Sequence, residues 1–331
     1  MRLSEGRILV TGGAGLIGSA LIWALNDLGI EDIVVCDRMS NDERYRNLVP
    51  LHFNDYVDAD DLMLYLQGDS KIRTIFHLGA CADTMEKDCR FLMKNNFEFT
   101  KTLAHCAENR GIRFIYASSA ATYGDGAQGM DDEELRLQDL RPRNPYGYSK
   151  HLFDIYAQSQ WMKLYGIKYF NIFGPNEYHK GAMISKVAHA YIQIRDTGEV
   201  KLFKSHHPSY ADGQQRRDFL YIKDAVAMTI FLGNAAEKVG NHATTGIYNV
   251  GSGVSQTWID LVAPIFEVLQ KPQRIVFIDM PEHLRTQYQY YTCGNIKKIR
   301  SLGYEAPLTP LREAVIDYVA NYLIPGKHLG E

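Results

Sequence analysis

The chain has 331 residues, of which 46% are hydrophobic and 23% are charged. This balance predicts a folded globular protein whose core needs neither a disulfide nor a metal. The net charge of −3 argues against a nucleic-acid-binding surface. No apolar run approaches the ~20 residues needed to cross a bilayer, so no membrane partner is expected. A predicted strand begins almost at once and leaves no room for a signal peptide, which predicts a cytoplasmic protein.

The first half of the chain alternates strands and helices. Residues 7–10 predict a strand, which a glycine-rich loop and a helix follow, and a second strand ends at Asp37. Further strands are predicted at residues 74–78 and 114–118, with a helix between them that ends near Gly111. This alternation predicts a Rossmann-like α/β fold, with a doubly wound parallel sheet and helices on both faces.

The next elements are punctuated by proline and glycine. Pro145 suits the first turn of a helix, which we expect to continue to the residue before Gly166. A strand is predicted after it at residues 167–171. Strand-like residues 218–222 and helical residues 224–232 look like a return to the main sheet.

We expect two interleaved domains, because no clear linker divides the chain. The dinucleotide-binding domain takes residues 1–170, and residues of about 216–250 return to it. Residues of about 171–215 and 251–331 form mainly a smaller α/β substrate domain.

A candidate cofactor site follows the first predicted strand, in the glycine-rich loop Gly12-Gly13-Ala14-Gly15-Leu16-Ile17-Gly18. Glycines allow a tight turn and let a pyrophosphate approach backbone N–H groups at a helix N-terminus. Asp37 ends the second strand, where a carboxylate usually binds the adenosine ribose of NAD. Arg38 and Arg44 could pair with a 2′-phosphate and admit NADP, or they could be solvated loop residues. The pattern predicts a bound dinucleotide and leaves NAD or NADP open.

Three residues predict acid/base chemistry beside that cofactor. Tyr146 and Lys150 lie four residues apart in the predicted helix, so they share one face. The ammonium is expected to favour the phenolate and to lower the tyrosine pKa from its usual value of about 10. Ser119 follows a predicted strand, where it could orient a substrate oxygen or simply cap a turn. The set could remove a hydroxyl proton while a nicotinamide takes a hydride.

Several stretches resemble the extended short-chain dehydrogenase/reductase superfamily and, within it, the ADP-L-glycero-D-manno-heptose 6-epimerases. The resemblance runs from about residue 7 to about 320, and its motifs are residues 77–81, 116–124, 146–150, 170–181 and 217–219. The discriminating stretch is Gly174-Pro175-Asn176-Glu177-Tyr178-His179-Lys180-Gly181. The resemblance implies an isomerase that inverts C6 of ADP-D-glycero-D-manno-heptose with bound NADP, in the synthesis of the lipopolysaccharide core.

The resemblance also implies roles for individual residues. Inverting a carbinol centre requires proton transfer on both faces. Tyr146 and Lys180 would be the two acid/base groups, Lys150 would tune Tyr146 and bind the nicotinamide ribose, and Ser119 would orient the substrate oxygen. Lys180 has two alternative interpretations, an exposed loop lysine and a ligand of the substrate diphosphate.

Binding residues are implied in two sets. Cofactor contacts are implied for Gly12, Gly15, Leu16, Ile17, Gly18, Asp37, Arg38, Arg44, Leu78, Gly79, Ala80, Cys81, Ala82, Asn95, Lys150 and Ile172. Substrate contacts are implied for Ser119, Asn171, Lys180, His189, Phe203, Lys204, Ser205, His206, Arg217 and Tyr288. No metal is expected, and the resemblance suggests a homo-oligomer, with a pentamer as one form.

Some positions depart from the family pattern. Ala59 stands where a lysine often lies near the 2′-phosphate, and Arg38 stands where asparagine is common, which weakens the NADP prediction. Ala182 and the 204–207 segment depart from substrate-contacting positions in the same way.

Two rival functions follow from these residues. One is another nucleotide-sugar 4-epimerase or 4,6-dehydratase, although a dehydratase usually has acidic residues where this chain has Ala120-Ala121-Thr122. The other is a non-catalytic NADPH-binding regulator, although such proteins usually lose the tyrosine or the lysine of the catalytic set.

Overall fold

The computed structural model describes residues 3–69, 71–235, 244–285 and 288–331. The strands in these residues are β1 (Arg7–Thr11), β2 (Ile33–Asp37), β3 (Asp55–Asp58), β4 (Ile72–His77), β5 (Arg113–Ser119), β6 (Tyr165–Tyr169), β7 (Asn171–Phe173), β8 (Val200–Phe203), β9 (Arg216–Tyr221), β10 (Gly246–Val250), β11 (Ser255–Thr257) and β12 (Ile275–Ile278). The α-helices are α1 (Leu16–Asp27), α2 (Leu62–Gly68), α3 (Cys89–Leu92), α4 (Phe99–Asn109), α5 (Pro145–Ser159), α6 (Lys186–Thr197), α7 (Ile222–Asn234), α8 (Trp258–Val268), α9 (Glu282–Arg285), α10 (Lys297–Ser301) and α11 (Leu311–Tyr318). None of the helices in the described ranges has the length and apolar character needed to span a bilayer.

The main sheet of the described chain has seven strands in the order β3-β2-β1-β4-β5-β6-β10. All of their pairings are parallel, which confirms the predicted doubly wound sheet. The inner strands β1 and β2 bury mainly apolar residues on both faces, as expected of a sheet covered by helices. Ile8 and Val10 of β1 join the core cluster that contains Leu21 of α1. Leu9 points to the other face and joins the cluster that contains Leu103 of α4.

The boundary between α5 and β6 differs from the prediction. α5 ends at Ser159, before a residue with positive φ, Trp161 at 54°. β6 already begins at Tyr165, so Gly166 lies inside a strand and does not stop a helix. A Cβ at Gly166 would lie 2.5 Å from the phenol oxygen of Tyr116 on the neighbouring strand. The glycine therefore makes room for a ring, a packing requirement that its position in the sequence does not reveal.

The strand predicted at residues 218–222 does not return to the main sheet. β9 pairs in parallel with β7 and antiparallel with β11, in a separate three-stranded sheet. The return begins with α7, which packs against α1, and is completed by β10 at the edge of the main sheet. A short apolar run specifies a strand but not its partners, because pairing depends on residues far away in the sequence. The division into two domains stays a prediction.

Candidate active site

The glycine loop connects β1 to α1 and packs closely against the loop after β4. Gly12 has φ of 66°, and a Cβ there would lie 2.6 Å from the backbone nitrogen of Gly79. A Cβ at Gly18 would overlap the carbonyl group of Gly12. Gly79 also donates its backbone N–H to Thr11 Oγ1 at 3.1 Å. These contacts leave no space for side chains, so the loop backbone itself faces any bound group.

A cavity of about 350 Å³ lies beside this loop. Its lining includes a group of the predicted cofactor residues, namely Gly12, Asp37, Arg38, Arg44, Gly79, Ala80, Cys81 and Asn95. Other predicted residues lie in the same two loops or in the first turn of α1 but do not line the cavity: Gly15, Leu16, Ile17, Gly18, Leu78 and Ala82. The glycine-loop backbone, a carboxylate and two guanidinium groups are chemically suited to a dinucleotide.

Asp37 joins the glycine loop to β2. Its Oδ2 accepts the backbone N–H of Ala14 at 2.9 Å. Its Oδ1 accepts the backbone N–H of Arg38 at 2.8 Å and a guanidinium N–H of Arg44 at 3.1 Å. Burial raises the pKa of Asp37, while these donors act in the opposite direction. The carboxylate thus fixes the loop at the edge of the cavity.

Both arginines beside the cavity already hold carboxylates. Arg38 donates to Asp60 at 2.6 Å and to Asn95 Oδ1 at 3.0 Å. Arg44 pairs with Asp42 and with the β2 carboxylate. A phosphate on the adenosine ribose would therefore compete with Asp60 for the more exposed arginine.

The predicted Ser–Tyr–Lys set lies where β5 ends and α5 begins. Ser119 is the last residue of β5, and Tyr146 lies in the first turn of α5 after the N-cap Asn144, whose side chain accepts the N–H of Gly147. Burial raises the pKa of Tyr146 above its ordinary value, and hydrogen bonding with the Ser119 side chain acts in the opposite direction. The serine and the phenol are therefore brought together as predicted.

The spacing of Tyr146 and Lys150 predicted a lowered pKa for Tyr146, whereas the net shift is upward because the phenol is buried. Lys150 is 5% exposed, and its ammonium donates to the carbonyl oxygen of Ala117 at 2.8 Å. Burial lowers the pKa of Lys150 to about 8, against the opposing charge of Asp154. Burial of the phenol therefore outweighs the lowering of the Tyr146 pKa that the sequence spacing suggested.

Lys180 lies in a different part of the site. It is half-buried in the turn Tyr178–Met183 and lines a cavity of about 180 Å³ together with Asn171, Ile172 and Trp258. Among the described residues it forms no hydrogen bond with Ser119 or Tyr146. The alternative of a freely exposed loop lysine does not match this position. Ile172, predicted to contact the cofactor, shares this cavity and does not line the one beside the glycine loop.

Arg217 is a buried cation in β9, the middle strand of the three-stranded sheet. It is 6% exposed, and its guanidinium lies 5.0 Å from the ring centre of Tyr288 and 5.7 Å from that of Trp258. Its N–H donates to the backbone oxygen of Arg216 at 3.0 Å, and no carboxylate in the described ranges forms an ion pair with it. Burial lowers its pKa. A buried guanidinium without a counter-charge is suited to an anionic ligand.

The predicted segment from Phe203 to His206 begins at the end of β8. Lys204 pairs with Asp279 at 3.3 Å, and Ser205 donates its backbone N–H to Asp212 at 2.7 Å. His206 donates its backbone N–H to the Tyr290 hydroxyl at 3.3 Å. The Tyr290 ring packs edge-on against Tyr288, 5.0 Å between centres. Two tyrosines therefore connect this segment to the buried guanidinium.

The remaining predicted substrate residues lie near Lys180. Asn171 lines the same cavity and donates to the backbone oxygen of Asp218 at 2.9 Å and to Thr292 Oγ1 at 3.2 Å. His189 lies on α6, with Nε2 3.2 Å from the carbonyl oxygen of Ala182. Asn171 and Arg217 thus belong to the three-stranded sheet, while Lys180 and His189 lie in the turn and the helix that follow β7.

Two residues at the site were not predicted from the sequence. Trp258 lines the Lys180 cavity, faces Arg217 and donates its indole N–H to Tyr288 at 2.8 Å. Asn96 is 1% exposed; its amide N–H groups donate to the Cys81 carbonyl and to Ser149 Oγ, both at 3.0 Å. Asn96 therefore joins the loop after β4, which contains Cys81, to α5. The sequence offered two signals for these residues: an asparagine within a predicted helix, and a tryptophan at the start of another.

A glycine loop beside a Ser–Tyr–Lys set at the carboxyl edge of a parallel sheet is typical of dinucleotide-dependent enzymes. Sequence comparison matches residues 8–251 to the NAD dependent epimerase/dehydratase family. The ADP-L-glycero-D-manno-heptose-6-epimerase of Nitratidesulfovibrio vulgaris strain DP4 is 46% identical over 321 residues, which cover 95% of this chain and 97% of that protein. The protein of the same name from Fusobacterium nucleatum is 42% identical over 330 residues, covering 96% and 98%. The chain belongs to the NAD dependent epimerase/dehydratase family.

Solved structures show the same fold. The ADP-L-glycero-D-manno-heptose-6-epimerase of Helicobacter pylori superposes with a TM-score of 0.78 at 27% identity, covering 96% of each chain. The UDP-N-acetylglucosamine 4-epimerase of Methanobrevibacter ruminantium M1 also gives a TM-score of 0.78, at 22% identity over 99% of this chain and 100% of that one. The latter likeness concerns the fold alone.

Proposed function

We propose that this protein is an isomerase that converts ADP-D-glycero-D-manno-heptose into ADP-L-glycero-D-manno-heptose. The observation that supports the proposal is that two side chains able to transfer a proton, Tyr146 and Lys180, lie in separate parts of the site. Tyr146 lies beside Ser119 at the end of β5, and Lys180 lines a second cavity with Asn171. A chemistry that works on both faces of one carbon needs such a pair. The curated relatives that match nearly the whole chain are named for this activity.

The residues divide the chemistry between them. A bound nicotinamide supplies the acceptor and donor of the hydride. Tyr146 takes the proton of the C6 hydroxyl on one face, while Ser119 orients that oxygen and Lys150 stabilises the phenolate. After the keto group has turned over, Lys180 in its ammonium form gives a proton to the carbonyl oxygen on the other face. Proton exchange with solvent then returns Tyr146 to the phenolate and Lys180 to the ammonium. In the reverse direction the two groups exchange the roles of acid and base.

In this proposal, the three-stranded sheet provides the residue that binds the diphosphate of the nucleotide sugar. Arg217 has no carboxylate partner in the described chain and stacks on Trp258 and Tyr288, so a diphosphate is a suitable counter-anion. His189 and the segment from Phe203 to His206 would contact the rest of the substrate.

The test is incubation of the purified protein with ADP-D-glycero-D-manno-heptose, followed by NMR of the product. We expect inversion at C6 without net consumption of cofactor. A 4-keto-6-deoxy product would remove this proposal in favour of a dehydratase. A protein that turns over no nucleotide sugar but binds a partner only with NADPH would be a regulator.

We propose NADP as the cofactor, because Arg38 and Arg44 both line the cavity beside Asp37. Changing both arginines to glutamine is expected to weaken NADP binding about tenfold or more and to spare NAD, because each charged hydrogen bond contributes about 1.5–3 kcal/mol. Titration of the protein with each cofactor measures this effect. Arg46→Gln is the control, since Arg46 is exposed and pairs with Glu43 away from the cavity lining. Equal weakening of both cofactors would contradict the 2′-phosphate role.

The broader expectations belong to the same proposal. The resemblance to heptose epimerases supports a homo-oligomer, with a pentamer as one form, a cytoplasmic location and a role in lipopolysaccharide core synthesis. Sedimentation of the purified protein would test the assembly.

A further inference from the structure

A buried ion pair joins β6 to α5, the helix that carries Tyr146 and Lys150. Lys168 of β6 and Asp154 of α5 are both 0% exposed, and Nζ lies 3.2 Å from Oδ2. Two charges in a protein interior carry a large desolvation cost, and apolar residues in their place are often equally stable. The groups that the pair contacts therefore indicate its role.

The carboxylate of Asp154 holds two side chains of β5. Tyr116 donates its hydroxyl to Oδ1 at 3.0 Å, and Ser118 donates its hydroxyl to Oδ2 at 2.7 Å. One turn earlier on α5, Lys150 donates to the carbonyl oxygen of Ala117 at 2.8 Å. The helix thus holds three consecutive residues of β5, up to the position before the catalytic serine.

The ammonium of Lys168 holds the turn that follows β5. It donates to Thr122 Oγ1 at 2.6 Å and lies 4.5 Å from the ring centre of Tyr123. Thr122 is fully buried, and its hydroxyl donates to the backbone oxygen of Ser119 at 2.8 Å. One hydroxyl therefore connects the ion pair to the backbone of the serine.

We propose that Asp154 and Lys168 form a positioning pair, which fixes Ser119 against the helix of Tyr146 and keeps a negative charge one turn from the Lys150 ammonium. The inference rests on the proposed function. Neither residue touches substrate or cofactor in this scheme; both act through Ser119 and Lys150.

The charge of Asp154 matters because Lys150 is buried. Burial lowers the pKa of Lys150 to about 8, and the Asp154 carboxylate raises it. The other titratable groups that act on Lys150 in the described chain belong to β4 and the loop after it. Cys81 also raises the pKa, and His77 is neutral at physiological pH because burial lowers its own pKa to about 3. Removing the Asp154 charge therefore lowers the pKa of Lys150 further.

The test is the double variant Asp154→Asn/Lys168→Met, which leaves no unpaired buried charge. The asparagine oxygen can still accept a hydrogen bond from β5. We expect kcat to fall at least about tenfold, as small displacements of reacting groups do, with KM for the nucleotide sugar unchanged. We also expect the alkaline limb of the pH–rate profile to move to lower pH. NMR titration of the Lys150 side chain, without substrate, should show the same downward shift.

Two single variants separate positioning from charge. Thr122→Val breaks the link to Ser119 but keeps both charges, so kcat should fall severalfold while the alkaline limb stays in place. Lys168→Arg keeps the cation and its donors and should retain most of kcat. The control is the half-buried pair Lys223–Asp317, 2.8 Å apart between α7 and α11, whose Lys223→Met/Asp317→Asn variant should leave kcat and the pH profile unchanged.

The outcomes are distinct. Wild-type kcat and an unmoved Lys150 titration in the Asp154/Lys168 variant would overturn the inference and reduce the pair to a core element. If that variant does not fold, unchanged kcat in Thr122→Val overturns the positioning role. A wild-type protein that does not epimerise the sugar would refute the proposed function instead, while a shifted Lys150 titration would still support the charge effect.

Discussion

Tyr146→Phe is expected to lower kcat by about 10²–10⁴-fold, the usual contribution of a positioned acid/base group. The substitution removes the phenol oxygen beside Ser119, so the C6 hydroxyl loses its proton acceptor. The fold should persist, because α5 keeps its Asn144 cap and its Pro145 first turn. Cofactor should stay bound, since the cavity beside the glycine loop does not include Tyr146. Steady-state kinetics with the heptose substrate and the cofactor content of the purified variant measure the two effects.

Tyr148→Phe is the matched control for this experiment. Tyr148 lies two residues away on the same helix and is 47% exposed, so the same chemical change should leave kcat unchanged. Wild-type turnover in Tyr146→Phe would refute the assignment of the phenol as a proton-transfer group. A loss of bound cofactor in the same variant would indicate a structural effect in its place.

Lys180→Ala is expected to lower kcat to a similar extent, at least about 10²-fold, because no second group would serve the other face of the sugar. Lys180 is half-buried at a cavity that also contains Asn171, and the buried carboxylate that its charge favours, Glu177, keeps its hydrogen bonds from Ser185 and Tyr318. Thermal unfolding should therefore stay close to that of the wild type. Kinetics at saturating and limiting substrate give kcat and KM separately.

The split between kcat and KM decides between the two roles considered for Lys180. An acid/base group lowers kcat when it is lost, whereas a diphosphate ligand mainly raises KM. Lys186→Ala is the comparison, because Lys186 lines the same cavity but donates to the backbone oxygen of Lys201. We expect its kcat to exceed that of Lys180→Ala by at least about tenfold. A raised KM with wild-type kcat in Lys180→Ala would contradict the two-base mechanism.

Much of the main sheet could be predicted from local patterns. The strands ending at Asp37 and Ser119 lie close to where the apolar runs predicted them. The predicted end of α5 at Gly166 was wrong. This glycine leaves space for the Tyr116 ring, but from the sequence alone it cannot be distinguished from a glycine that ends a helix. The prediction that β9 belongs to the main sheet was also wrong, because strand pairing joins residues distant in the chain.

The candidate site divides in the same way. Spacing alone placed Tyr146 and Lys150 on one helical face, but not the burial that raises the pKa of Tyr146 and lowers that of Lys150. Lys180 was assigned by resemblance, and its cavity with Trp258 is visible only in the fold.

The glycine loop after β1 and the Tyr146–Lys150 pair could be recognised from local sequence, because each depends on residues within a few positions of one another. The folded chain was needed to show that the Arg217 guanidinium lies against the rings of Trp258 and Tyr288 and that Asp154 pairs with Lys168. These contacts join segments that are remote in the chain. Their burial and charge environment arise from packing, which no local pattern of residues specifies.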